Sequence, residues 1–568
     1  MKVRVSVPQC ALALASILSL ALAMTAVHSP VTIAQETASS DQASMNQTVS
    51  EDLPPLPSSP IEKAQKDGTA LMLSLKEVTK LALQNNLDIA IQDTNEQVSL
   101  QKIIAAFGSY DPSLSGNFSL NSSKQANTVS YQASTGDFNI SKTLSWNYQF
   151  SKSFRTGGSF TASWQDRRSS TDYTSSRFNP SYSSQASLSF TQPLLRNFRI
   201  DSSRGNIKIA NLDLKSTDCQ FKQKVTDTIS SIQSQYWDLV SAIRDYEIKR
   251  NSVRLGQITL RDNKKKVLVG TLAKISITEA EADLAQRELN LFSSEESILR
   301  QENALRQLIS NDRNSEIWSK VIVPTDKPDF QEYKVDLETA IETALHNRPE
   351  LEQIAIQLNQ ADINLQVTEN NRKWQVDLTG SYGSNGNSGT PSDTTSSLLP
   401  PPESQIGGLA TSYKNVFTGG TTNWSLQVRV NVPLRNRSTD SQLAQQQINR
   451  RKILMQRKSQ EQAIQVEIRN AIQKLDTNRK QVETAKMGRQ LSEEQLEGEV
   501  KRLEAGLSEN FRVLDRQNQL AQAEFTYLTN LINYKKSVIA LQKSMYTLLE
   551  SNEFEIAKGS STKVSALQ

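Results

Sequence analysis

Imidazoles and thiols are the side chains that most often ligate metals or attack substrates, and this sequence has few of them. It holds two histidines, His28 and His346, and two cysteines, Cys10 and Cys219. A histidine or cysteine metal centre needs three or four converging ligands, and a Ser-His-Asp site needs a histidine beside its nucleophile. His28 lies in an apolar N-terminal stretch, which leaves His346 alone inside a segment with helical periodicity. The expectation is no catalytic residue, no metal and no cofactor, with His346 serving structure. Net charge is +4, from 64 basic and 60 acidic residues that interleave along the chain, so no basic face proposes nucleic acid. What stands out by spacing is of another kind: glycines that close long helices, and strands in which apolar residues alternate with serine, asparagine and glutamine.

The glycines come first. Val269-Gly270-Thr271 ends one long helix-period segment and Ala505-Gly506-Leu507 ends another; Gly270 aligns with Gly506, and Ile277 with Val513 seven residues on. Glycine just past a helix end accepts the left-handed conformation that stops the helix. Two at equivalent points suggest a shaped tip. The segments they close run from about Ser203 to Val267 and from about Asp440 to Leu503, each on the order of 100 Å long if unbroken. In the first, Val225, Ile229, Ile232, Tyr236, Val240 and Ile243 form a 3-4 seam for a neighbouring helix. A tube of helices needs such lengths; a single-core globule does not.

These pieces belong to a repeat. The stretch from Leu75 to Leu120 recurs from Leu337: Ala82-Leu83 match Ala344-Leu345, Asn85 matches Asn347, and Leu114, Gly116 and Phe118 match Leu378, Gly380 and Tyr382. Each copy reads short helix, long helix, strand, and self-similarity of this kind marks a repeat architecture. Ser74-x-x-Glu77 is a capping box opening the first helix. Where the period changes to two, Leu188 and Phe190 alternate with Ser187 and Ser189, and Trp424, Leu426, Val428 and Val430 with Ser425, Gln427 and Arg429. Alternation alone also fits a half-buried antiparallel sheet. Strand length near that of a bilayer, small polar alternate residues suited to a wet lumen, and a long Gly/Ser/Thr/Pro loop from Gly383 to Gly420 favour a membrane barrel. In it Leu188, Phe190, Trp424, Leu426, Val428 and Val430 face lipid.

The expected organisation follows. Residues 1–34, with Lys2 and Arg4 before an apolar run and Ala21-Leu22-Ala23 after it, read as a signal peptide, which leaves Cys219 without an internal disulfide partner. A Pro/Ser/Gln-rich extended linker covers 35–72. The first repeat covers 73–310, with strands from about 112 to 193. An inter-repeat linker covers 311–335, the second repeat 336–550 with strands from about 374 to 433, and a C-terminal tail 551–568. Aromatic content of 6% and mean hydropathy of −0.50 suit long thin helical assemblies.

From about Leu73 to Leu549 the chain resembles the outer-membrane efflux proteins, the TolC family. The resemblance rests on the duplicated helix–strand–strand–helix plan, the Ala-Leu-x-Asn helix ends, the strand end Gln192-Pro193-Leu194-Leu195 with its counterpart Val432-Pro433-Leu434, and the paired glycine turns. It implies a homotrimer whose strands pool into one transmembrane β-barrel, continued by a long α-helical coiled-coil barrel across the periplasm. Function would be that of an outer-membrane exit channel in a tripartite efflux or type I secretion system, fed by an inner-membrane pump through a periplasmic adaptor. Val269, Gly270, Thr271, Ala505, Gly506 and Leu507 would be the adaptor-docking tips. Ser276, Arg512 and Asp515 would stand at the periplasmic mouth. Ser276 and Arg512 occupy positions where the family often has aspartate, so an acidic ring is not expected, and Asp515 of the same or a neighbouring helix could hold Arg512. A second departure is a strand-like pair from about Leu144 to Trp164, either an added surface hairpin or an enlargement of the usual four strands per protomer. The alternative class, a periplasmic adaptor or coiled-coil scaffold, would need a compact β-sandwich and a single helical hairpin.

Overall fold

The computed structural model describes residues 55–56, 58–126, 138–172, 176–392, 401–418 and 421–551, all within one unit that begins at Pro55. Helix α1 (Pro60–Lys66) starts at a capping box between Ser59 and Glu62, with Pro60 in the first turn. Strand β1 (Ala70–Leu73) follows. Part of the segment expected to be an extended linker is therefore structured, because its proline sits where a helix accepts one and Ala70-Leu71-Met72-Leu73 is apolar enough to pair.

Two sets of elements then repeat in order. The first is α2 (Leu75–Asn85), α3 (Leu87–Phe107), β2 (Ser113–Ala126), β3 (Phe138–Ser153), β4 (Ser159–Thr171), β5 (Phe178–Pro193), α4 (Ser202–Leu268) and α5 (Ile275–Ile309). β6 (Val321–Pro324) lies between the sets. The second is α6 (Leu337–Asn347), α7 (Pro349–Asn371), β7 (Gln375–Pro391), α8 (Leu409–Phe417), β8 (Thr422–Asn431), α9 (Arg437–Glu504) and α10 (Asn510–Met545), with a short α11 (Leu548–Ser551) at the end. Matched helices are nearly equal: 11 and 11 residues for α2 and α6, 67 and 68 for α4 and α9, 35 and 36 for α5 and α10. The Ser74–Glu77 capping box forms, with Glu77 N–H donating to Ser74 Oγ at 3.3 Å and Ser74 N–H to Glu77 Oε2 at 2.8 Å. Asn86 ends α2 and caps α3 with its side chain; Arg348 and Pro349 stand at the equivalent joint.

All six seam residues of α4 are buried. They meet α2, α5 and α10 in the larger of two apolar clusters. Near its middle, β1 pairs in parallel with β6, which places a strand inside the expected inter-repeat linker. The Asp326 carboxylate accepts from Tyr236 Oη and from the Leu75 amide, both at 2.7 Å, so the start of the first repeat, its long helix and the inter-repeat segment share one half-buried anchor. Helix neighbours fall into two tiers. Nearer the strands α3, α4, α7 and α9 lie side by side; nearer the glycine turns α5, α4, α10 and α9 do. Four helices pass each level. No helix among the described residues is long and apolar enough to cross a membrane.

The remaining strands form one antiparallel sheet in the order β2-β3-β4-β5-β7-β8. They hold 10 to 17 residues each, most of them longer than a single bilayer crossing requires. The extra pair, β3 and β4, sits in the interior of the sheet and bonds to β2 on one side and β5 on the other; it is not a surface hairpin. β7 also runs on to Pro391, so the first part of the segment expected as loop from Gly383 is strand. The reason lies in α8, which covers that extension. A Cβ on Gly386 would meet the Ser412 carbonyl oxygen at 2.0 Å, and Ser384 and Ser388 donate to the carbonyls of Val416 and Gly408 at 2.6 and 2.8 Å. Small residues that look like loop composition are there because a helix lies on them.

Candidate functional site: the sheet faces and the helix tips

Apart from the irregularity where Phe178 meets Pro391 at the end of the β5–β7 pairing, registers across the sheet pair even-numbered residues with even. One row reads Leu114, Phe150, Ala162, Leu188, Tyr382, Trp424, and the row beside it Phe160, Phe190, Gly380, Leu426. Val428 and Val430 continue the face opposite Leu378 and Val376. Leu188, Phe190, Trp424, Leu426, Val428 and Val430 thus lie on one continuous face, all exposed, from 44% for Phe190 to 79% for Trp424. An apolar surface of that extent on a single chain marks contact with lipid or protein. The odd-numbered face is serine, threonine, asparagine and glutamine, with Arg167, Asp377 and Arg429. Ladders of hydroxyls cross it: Ser113 to Ser151, Ser119 to Ser145, Ser163 to Ser187 and Ser381 to Ser425, at 2.6–2.7 Å.

At the far end of the helices the two glycine turns are the same motif. In the first, Gly270 (φ +82°) donates to Val267 O at 3.0 Å and Thr271 to Lys266 O at 2.9 Å. In the second, Gly506 (φ +73°) donates to Leu503 O at 3.0 Å and Leu507 to Arg502 O at 2.8 Å. Both are Schellman closures, in which a left-handed residue turns the chain back onto the last free carbonyls. A Cβ at either glycine would touch nothing within 4 Å, so the glycine is required by the backbone and not by packing. Val269 and Leu507 project at 79% and 80% exposure, with Leu268, Ile275 and Phe511 exposed beside them. Charge decorates the approach. Lys265 and Lys266 end α4, and Glu497 and Lys501 on α9 bond at 2.6 Å. That bond holds the carboxyl below and the ammonium above its ordinary value.

The residues expected at the mouth are accommodated differently. Ser276 is half-buried, and its carbonyl accepts from Asn263 Nδ2 at 3.1 Å. Arg512 and Asp515 are exposed on α10. Within one chain the Asp515 carboxylate is held by the Gln519 amide at 2.7 Å, not by the Arg512 guanidinium.

Sequence reasoning missed the groups that join the two tips. Asn263, 1% exposed, also accepts from Asn510 Nδ2 at 2.9 Å, linking the end of α4 to the start of α10. Further up, the nearly buried Arg287 donates to Asp283 at 2.6 Å, to the Ser252 carbonyl at 3.0 Å and to Gln517 Oε1 at 3.4 Å, tying α5 to α4 and α10. Its signal was available: buried positions of α5 run Ala280, Arg287, Leu291, Ser294, Ile298, Glu302, Leu305, Ile309. A charge on a 3-4 seam asks for a partner across it. Among the described residues no cluster of His, Cys, Asp and Glu could hold a metal ion.

Comparison with known proteins agrees with this architecture. No curated protein matches the sequence. Among solved structures, the CmeC outer membrane channel of Campylobacter jejuni aligns over 87% of this chain and 88% of its own, with 16% identity and a TM-score of 0.58. The MtrE outer membrane channel of Neisseria gonorrhoeae aligns over 84% and 89%, with 15% identity and a TM-score of 0.53. CusC, described for its conformational changes on folding and transmembrane channel formation, aligns over 84% and 93%, with 13% identity and a TM-score of 0.59. Identities this low establish a shared fold. The family model for outer membrane efflux proteins matches residues 153–311 and again 340–545, more than half the chain and once in each repeat. The chain therefore belongs to the outer membrane efflux protein family, whose members are channels of the cell outer membrane and not enzymes.

Proposed function

We propose that this protein is the passive exit duct of a tripartite exporter, working as a homotrimer. Three sheets close into a barrel that crosses the outer membrane, and the helices continue it as a tube through the periplasm. The observation that carries the reading is the two-faced sheet: an exposed apolar face and a hydroxyl-lined opposite face, joined by short turns to helices of about 100 Å. Closure puts the apolar face against lipid and the polar face around water, and leaves no free sheet edge. Four helices at each level of one chain supply twelve to the tube. The tips at Val269–Thr271 and Ala505–Leu507 then meet the periplasmic adaptor through their projecting apolar side chains. The pump, an inner-membrane transporter of the efflux or type I secretion class, supplies the energy. An adaptor or scaffold role fits less well, because a one-layer sheet with an exposed apolar face is not a β-sandwich.

Membrane fractionation tests the reading. Recovery in the outer membrane as a detergent-soluble trimer, with loss of export when the chain is deleted, is the expected result. Recovery as a soluble periplasmic monomer would overturn it.

A further inference from the structure

The family resemblance implies four strands per protomer, and this sheet has six. The question is whether β3 and β4 belong to the membrane wall. Two observations say that they do. They lie inside the sheet, with Ser113 opposite Ser151 at one end of the β2–β3 pairing and Ala126 opposite Phe138 at the other, and with β4 paired to β5 from Ser159–Thr191 to Ser169–Ser181. They also carry the apolar band: Leu144, Trp146, Tyr148 and Phe150 on β3 stand opposite Leu120, Phe118, Gly116 and Leu114 on β2, and Phe160 and Ala162 on β4 stand opposite Phe190 and Leu188 on β5. A hairpin outside the membrane would not need that.

The band also gives the tilt. On β2 it spans Leu114 to Leu120, and on β8 Trp424 to Val430. The row that starts at Leu114, the lower end of the band on β2, arrives at Trp424, its upper end on β8. The band therefore slides six residues across five strand spacings. At about 3.3 Å per residue and about 4.8 Å between strands, this is a tilt of about 40°, inside the range of membrane barrels. Directions close as well. β2, β4 and β7 run away from the helices and β3, β5 and β8 run back, so β8 of one copy meets β2 of the next antiparallel.

We propose that three copies close into an 18-stranded barrel whose bore matches the helical tube, so that the outer exit restricts nothing the tube admits. Eighteen strands at that tilt have a perimeter of roughly 110 Å. Twelve helices packed about 9.5 Å apart have nearly the same. Twelve strands at the same tilt would give roughly 75 Å. The lining is short and mostly uncharged, so it selects weakly. The cargo class this suits is bulky solutes or extended polypeptide, with selection left to the periplasmic mouth. The inference rests on the exit-duct reading above.

Two measurements on the full chain test it. Electron cryo-microscopy of the purified trimer counts the strands. In parallel, Gln427→Cys on the lumen face is labelled in intact cells with maleimide-polyethylene glycols of graded size. The same variant is labelled in a chain whose residues 127–177 are replaced by a short Gly/Ser turn, which removes β3 and β4 and leaves β2 beside β5. The expected result is 18 strands, and labelling by reagents that the shortened chain excludes, since lumen cross-section falls about twofold with a third of the strands gone. A trimer with fewer than 18 strands in its wall, or one exclusion size for both chains, overturns the inference and leaves the exit-duct reading standing. Absence of a trimer overturns that reading and this inference with it. If the shortened chain does not assemble, the strand count decides alone.

Discussion

Replacing Val428 with arginine tests the facing of the whole sheet. Val428 lies in the middle of β8, opposite Leu378, with Leu426 and Val430 on either side on the same face, and it is 58% exposed in the single chain. An arginine facing lipid near the bilayer midplane costs about 2–4 kcal/mol. Threefold symmetry repeats the change, so one barrel bears roughly 6–12 kcal/mol, as much as the whole stability of an ordinary domain. The control is its neighbour. Gln427 is on the opposite face beside Arg429, a guanidinium the wall already accepts, so Gln427→Arg should assemble normally. Leu188→Asp and Ser187→Asp repeat the comparison on β5, with a smaller loss because aspartate costs less than arginine in such sites. The assay is trimer yield in outer-membrane extracts on gels run before and after heating. A large loss for Val428→Arg and Leu188→Asp, with neither control affected, is expected. Equal yields in all four would mean the face is wrongly assigned.

Three further outcomes follow from the helices. Gly270→Val and Gly506→Val should leave trimer and barrel intact but lower adaptor crosslinking and export. The cost, on the order of 1–3 kcal/mol at a left-handed position, falls on the tip alone, where a Cβ meets nothing; undiminished crosslinking would place docking elsewhere. In planar bilayers Arg512→Asp should make the channel more cation-selective and Asp515→Asn less so, both effects weakening with salt; identical reversal potentials would show that neither side chain lines the mouth. Cys219 is buried, and burial with the Glu352 carboxylate beside it pushes its thiol up to about 12. Its thiolate is the reactive form, so maleimide at pH 8 should label the folded trimer far more slowly than the denatured chain, and equal rates would refute the burial.

Much of this was legible in the sequence because periodicity is the direct imprint of burial. The α4 seam, the capping box at Ser74, the paired glycine turns and the alternate faces of β5 and β8 all follow from local pattern. The misses share another cause. Arg287 and Asn263 each have one partner more than 200 residues away, Gln517 and Asn510, and spacing cannot name such partners. Gly386 and Ser388 have loop composition and strand conformation because α8 rests on them. Composition reports what a segment is made of; here the covering helix decided what it became. The structured 60–73 region was missed because a few apolar residues among prolines look like linker until β6 is there to pair with them.

The position of α8 has a consequence for biogenesis. Ser412 Oγ donates to the Gly386 carbonyl at 2.7 Å and lies 2.8 Å from Ser184 Oγ, Tyr413 Oη donates to the Asp166 carboxylate at 3.1 Å, and Phe417 stacks on Trp164 at 5.7 Å between ring centroids. These contacts draw on β4, β5 and β7, strands separated by the entire α4–α5 hairpin in sequence. The helix has nothing to sit on until strands from both repeats have come together. It should therefore act as a late clasp, docking only once the two repeats have folded against each other.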